Sequence, residues 1–307
     1  HFPAGRPSPS RCAAFDALLP EAREYLTCAG ACFGTPIERL AQMNQPAIDF
    51  YRDKGVDLYT QPLEIALCAQ HNNGGIGIDC WWQTDVKGLF AVGEAAASHG
   101  VYRPGGTALN AGQVGSTRAA QYIAARCRGD ASADFDAAAS AALAEMAALA
   151  DVCRADTGNV RALWQHAAEE MSRCGAAIRD PAQIRAYGKQ VEAQLADFAQ
   201  TVKAGSRTEL AMVYRLRDML LSQHAYLTAM ADYTAHGGQS RGSALYTDLT
   251  GGVKPFAQLP DTFTFALDET EAPLIQELWF EDGTCKTDWR APRPIPEDDD
   301  FFEDEGE

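Results

Sequence analysis

Three side chains of different chemistry stand within a short stretch of the sequence, "GLFAVGEAAASHGVYRPGGTALNAG", which runs from Gly88 to Gly112. Glu94 follows the apolar run Leu89 to Val92. At the carboxyl edge of a sheet, its carboxylate could accept hydrogen bonds from sugar or ribitol hydroxyls, or it could be a surface acid after a strand. Arg103 precedes a helix start, where free backbone N–H groups and a guanidinium fork could together receive a carboxylate or phosphate. The plainer alternative is a loop ion pair. Gly105 and Gly106 would let a ligand approach the main chain closely. His71, in "HNNGGIGID", could donate to an anion or serve structurally, and His99 is read as structural.

The elements that must position these residues can be read from pattern. Leu89 to Val92 has the text of a strand covered on both faces. It is paired in expectation with a second strand in "NNGGIGIDCWWQTD" around a turn containing Gly88, and a further strand is expected over "QPLEIALCAQH". From Gly106 to Arg126 the spacing of Leu109, Val114, Tyr122 and Ile123 predicts a helix packed on that sheet. Upstream, Pro20 and neighbouring acids open a helix that Gly34 follows. In "TPIERLAQMNQPAIDFYRDKG", Thr35, Pro36 and Glu38 form a capping-box signature and Gly55 is the stop. Pro46 should divide that run into two short helices meeting near Asn44 and Gln45.

From Ala131 the composition shifts, with eleven alanines in twenty residues and an apolar stripe of Leu143, Met146 and Leu149. Helical periodicity continues over Asp151 to Met171, Pro181 to Val202 and Glu209 to Thr234, which predicts a bundle of three or four helices. Strand-like text follows in "FTFALDE" and "LIQELWFEDG".

The 307 residues are 46% hydrophobic, enough for a sizeable core. The formal charge is −16, of which eight acids fall in the last twelve residues, "PEDDDFFEDEGE". Such a chain is poorly suited to binding nucleic acid or anionic membrane through net charge. No apolar run approaches a bilayer span, so no membrane insertion is expected. The nine cysteines are odd in number and contain no C-x-x-C pair. They are read as reduced, mostly buried thiols of a cytoplasmic protein. Cys28 and Cys32 could share a helix face, but nothing nearby completes a metal set, and no metal site is expected.

Taken in order, the His-x-x-Gly-Gly step, "GLFAVGE", the His-Gly step, "RPGG" and "ALN" resemble the succinate dehydrogenase/fumarate reductase flavoprotein family, the FAD-dependent group that includes L-aspartate oxidase. The match is specific in His71 to Ile76 and in Gly88 to Asn110, and it extends to "SRGSALY" around Arg241. The resemblance implies FAD as cofactor, with Glu94 on its ribityl region and the main-chain N–H groups of Ala108 and Leu109 toward the flavin pyrimidine edge. It implies that His71 and Arg103 clamp the carboxylate of a small acid substrate, with Gly105 and Gly106 supplying close backbone. An electron-transfer partner is also implied.

The family's opening G-x-G-x-x-G strand and helix has no counterpart, since "GGIGID" lacks the third glycine and no helix follows it. The expectation is therefore an α+β chain forming the carboxyl-terminal part of a flavoenzyme. Residues 1–59 would end a capping domain and 60–128 would be the returning segment of the FAD-binding domain. A helical bundle would occupy 129–250, and a strand-like extension with an acidic tail 251–307. The chain alone is expected to bind FAD poorly and to be inactive. The alternative is a non-catalytic module that docks a redox partner or a second subunit.

Overall fold

The computed structural model describes residue 15, residues 18–63, 74–99, 106–127, 134–241, 244–267 and 274–292, and residue 294. His71, Arg103, Gly105, most of "QPLEIALCAQH" and the acidic tail lie outside the described residues. The chain is α+β and divides into two compact units, His1–Leu67 and Cys68–Glu307.

The first unit contains helices α1 (Pro20–Cys28) and α2 (Pro36–Asp53). The capping box is present: Thr35 N–H donates to Glu38 Oε2 at 2.6 Å and Glu38 N–H to Thr35 Oγ1 at 3.4 Å. As Pro46 demands, α2 breaks at Asn44 (φ −158°, ψ 68°), whose side chain accepts a bond from Ala47 N–H at 3.2 Å and so restarts the helix. Cys32 falls beyond the end of α1, so it shares no helix face with Cys28, and both thiols are exposed. The expectation of mostly buried thiols holds for Cys153 and Cys174 alone among the described cysteines, while Cys80 and Cys285 are half-buried.

In the second unit α3 (Thr107–Arg126) is followed by α4 (Phe135–Cys153), α5 (Val160–Cys174), α6 (Pro181–Ala196), α7 (Phe198–Thr201) and α8 (Arg207–Ala235). Caps explain several of these boundaries. Asp180 accepts from Ala182 and Gln183 N–H at the start of α6, and Ser206 accepts from Glu209 N–H at the start of α8. The predicted Asp151 to Met171 helix is two helices. Gly158 lies so close to Gly205 that a Cβ there would come within 2.7 Å of the Gly205 nitrogen. Asn159 donates to Thr201 O at 2.8 Å and accepts from Lys203 N–H at 2.7 Å, bonds between distant segments that the helical period does not encode.

The core lies among α5, α6, α7 and α8, with Val160, Ile184, Val191, Val213 and Leu216 at most 1% exposed. Burying such a side chain contributes about 1.5–3 kcal/mol. Of the expected α4 stripe only Leu149 packs on this core, and Leu143 and Met146 are exposed. Beside the bundle, β1 (Ile178–Arg179) pairs parallel with β2 (Leu245–Thr247), which pairs antiparallel with β3 (Phe265–Ala266). A hairpin of β4 (Ile275–Glu281) and β5 (Thr284–Arg290) turns through Asp282 and Gly283, both at positive φ, the Asp-Gly signature of a tight hairpin turn.

Candidate functional site

Of the residues singled out by sequence, the described ones sit on two backbone crossings and one helix start, and His71, Arg103 and Gly105 lie outside the described residues. In the first crossing the segment from Gly74 runs beside the segment from Ala95. Gly74 N–H donates to His99 O at 2.9 Å, Ile76 N–H to Ala95 O at 2.9 Å, and Ala97 N–H to Ile76 O at 3.0 Å. Gly75 has φ +137°, and a Cβ there would stand 2.6 Å from Ala95 O, so the close approach requires glycine. His99 is buried, with Nδ1 2.9 Å from Ser98 Oγ.

The second crossing is a hairpin. Thr84 N–H donates to Leu89 O and Ala91 N–H to Trp82 O, closing residues 85–88 with Gly88 at φ +84°. The two expected strands are therefore a short hairpin joined at Gln83 and Phe90. Leu89, expected to be covered on both faces, is 52% exposed, and within this short run Ala91 takes the buried position.

Chain direction then turns at Gly93 (φ +65°) into one 3-10 turn, Gly93–Ala95, that carries Glu94 on its exposed side. This turn packs on α3, where a Cβ built on Gly112 would be 3.6 Å from the Cα of Gly93. Gly106 is the N-cap of α3 and offers no side-chain cap. Ala108 and Leu109 stand in the first turn of the helix, where backbone N–H groups lack intrahelical acceptors. Glu94 and these helix-start residues thus belong to two neighbouring elements, and the charge preference at the helix start is for a negative group.

The packing face of α3 differs from the predicted one. Leu109, Val114 and Ile123 are exposed, while Gly115 and Ala119 are buried. The helix seats its small residues against the hairpin: a Cβ on Gly115 would meet the Trp82 indole, with Cε2 at 2.7 Å. Trp82 itself has φ 64°. Arg118 stacks over the Trp81 ring at 4.4 Å, and Tyr122 lies 5.6 Å from Trp81 and 5.9 Å from Phe90, ring centre to ring centre. Asp79 Oδ1 shapes the hairpin by accepting from the N–H groups of Trp81 and Gln83 at 2.8 and 2.9 Å. Sequence reasoning missed this aromatic seat. Its signals were the Asp at the turn and the small residues Gly112, Gly115 and Ala119 at helical spacing.

Among the described residues no set of His, Cys, Asp and Glu could hold a metal ion, and no helix is long and apolar enough to cross a membrane.

Comparison with known proteins agrees with the resemblance. Residues 12–109 match the FAD binding domain family. The matching chain of the fumarate reductase (CoM/CoB) of Methanothermobacter marburgensis is 46% identical over 70 residues, 22% of this chain and 13% of that protein. The L-aspartate oxidase of Streptomyces coelicolor is 38% identical over 76 residues, 24% of this chain and 13% of that protein. A solved E. coli quinol fumarate reductase chain has the same fold over 90% of this chain and 48% of its own length, with a TM-score of 0.62 and 20% identity. The chain thus spans about half of that solved structure and aligns with a small part of each curated relative. The residues present suit part of an FAD site, with a helix start that has no side-chain cap, a glycine turn packed against that helix and a carboxylate on that turn. Residues 12–109 are thus similar to the FAD binding domain family, and the chain resembles fumarate reductase and L-aspartate oxidase over a small part of their length, a similarity that supports FAD as the cofactor.

Proposed function

We propose that this chain forms part of an FAD-dependent oxidoreductase that transfers hydride between flavin and the C=C or C–C bond of a small carboxylic acid. One observation carries the proposal: the Gly93–Glu94 turn and the first turns of α3 pack together in and beside the segment that matches the FAD binding domain. FAD, when bound, supplies the hydride-transferring centre. Glu94 accepts hydrogen bonds from ribityl hydroxyls. The N–H groups of Ala108 and Leu109 stabilise negative charge that grows at the pyrimidine edge on reduction. His71 and Arg103 hold the substrate carboxylate, and Gly105 and Gly106 let it approach the backbone, which orients the reacting bond. The relatives' names, fumarate reductase and L-aspartate oxidase, support an acid substrate. A redox partner exchanges electrons with the flavin, in a cytoplasmic setting that suits the buried free thiols Cys153 and Cys174.

The part of the relatives covered supports a catalytic unit larger than these 307 residues. Mixed with FAD and passed through gel filtration, the chain alone is expected to elute without stoichiometric flavin. A yellow, flavin-saturated peak would overturn that expectation. In the complete protein, Arg103→Ala should abolish turnover while leaving bound flavin nearly intact, and unchanged turnover would remove Arg103 from the clamp.

A second proposal is a non-catalytic docking module. It is favoured by the exposed Leu274, Trp279 and Phe280 at the β4–β5 hairpin. Stable co-purification of a partner with the isolated chain, with no flavin needed, would support it.

A further inference from the structure

The helical bundle contains a cavity of about 320 Å³ between α5, α6, α7 and α8, lined by none of the residues assigned to flavin or substrate. That volume lies at the small end of the range of ligand sites, roughly 300–1,000 Å³. Its apolar lining comes from Phe198, Val202, Leu216 and Leu220, each at most 5% exposed. Gln194 and Asp197 also line it, on the last turn of α6 and its C-cap. Neither the Gln194 amide nor the Asp197 carboxylate has a side-chain hydrogen bond or ion pair among the described residues. Asp197 is exposed and stands at the junction of two helices, as C-cap of α6 and N-cap of the four-residue α7, so the opposed helix ends largely offset one another and the formal charge of its carboxylate is what favours a cation there.

We propose that this cavity binds a small amphiphilic cation, an amine with an aromatic or branched aliphatic body. The body covers the half-buried Leu163 and the exposed Ala193, which removes apolar surface from water, and rests against the buried Phe198, Val202, Leu216 and Leu220 behind them. The ammonium group meets the Asp197 carboxylate and donates to the Gln194 amide oxygen. An acid of the same shape is disfavoured by the Asp197 carboxylate. This preference is opposite in sign to that of the proposed substrate clamp, so the two sites do not compete for one ligand.

The test uses the whole chain with three probes of matched size: phenethylamine, ethylbenzene and 3-phenylpropionate. Binding is followed by methyl NMR of Val202, Leu216 and Leu220 and by thermal melting. Phenethylamine is expected to give saturable shifts at these methyls and a raised Tm, with weaker binding of ethylbenzene and the weakest of the acid. Asp197→Asn, an exposed change, should weaken amine binding by about threefold or more and leave ethylbenzene unaffected. Absence of saturable shifts with phenethylamine, equal affinity for amine and acid, or unchanged amine binding in Asp197→Asn would each overturn the proposal.

Discussion

Asp232 of α8 and Trp289 of β5 are joined by a hydrogen bond of 2.8 Å from the indole Nε1–H to carboxylate Oδ2. The same oxygen accepts from Gln276 Nε2 at 2.8 Å, and His236 Nδ1 lies 3.3 Å from Oδ1. One carboxylate therefore clasps both strands of the hairpin to the long helix.

That clasp should loosen in acid. Burial pushes the Asp232 carboxyl up, but hydrogen bonds from Gln276, Trp289 and Thr287 and the nearby His236 outweigh it and hold the group below its ordinary value. Because the folded value is depressed, the stabilisation is complete above the unfolded carboxylate range near pH 4. It is lost as pH falls through the folded value. Asp232→Asn should lower stability by about 1–3 kcal/mol at neutral pH and flatten the acid limb of a Tm against pH curve. An unchanged acid limb would refute the clasp.

Gly115→Ala tests the aromatic seat of α3. The new methyl would press on Trp82, whose indole N–H is already buried against the helix. Overpacking of this kind costs about 1–3 kcal/mol, and the expected readouts are a lower Tm and a shifted tryptophan emission. Gly112→Ala, where the added methyl meets Gly93 only at 3.6 Å, should be much milder.

Gly75→Ala probes the first crossing. At φ +137°, with backbone atoms of Ala95 and Ala96 within 2.8 Å of the new Cβ, the variant must break the Gly74 to His99 and Ile76 to Ala95 bonds or bear about 1–3 kcal/mol of strain. Hydrogen exchange of the Ile76 and Ala97 amides should accelerate, while amides of α5 and α6 stay protected.

Tyr187→Phe tests the polar contact inside the bundle. The Tyr187 hydroxyl donates to Gln223 Oε1 at 2.9 Å and lies 3.2 Å from Ala167 O, and Gln223 Nε2 also donates to Ala167 O. Its loss should cost about 1–2 kcal/mol of stability. Burial pushes the phenol up to about 12, so its stabilising effect is complete below pH 10 and is lost as pH rises through the folded value. The alkaline fall in Tm should be shallower in Tyr187→Phe.

Local signals carried much of this protein. Thr35, Glu38 and Pro46 set the start and the break of α2 because capping bonds and the proline ring act within a few residues. The order of glycines, Glu94 and "TALN" marked the flavoprotein relationship and the helix start, again through backbone demands confined to one turn. Tertiary structure decided which face of α3 is used. Leu109, Val114 and Ile123 are as apolar as a core stripe, yet the helix seats Gly115 and Ala119 because only small residues admit Trp82 so closely. It likewise decided that the helical text from Asp151 is interrupted between Cys153 and Val160, in a segment where residues 158 and 205 meet backbone to backbone, and that Asp232 holds a hairpin whose tryptophan lies 57 residues away. Contacts at such separations depend on how elements fold against one another, and no periodicity in a single stretch of sequence encodes them.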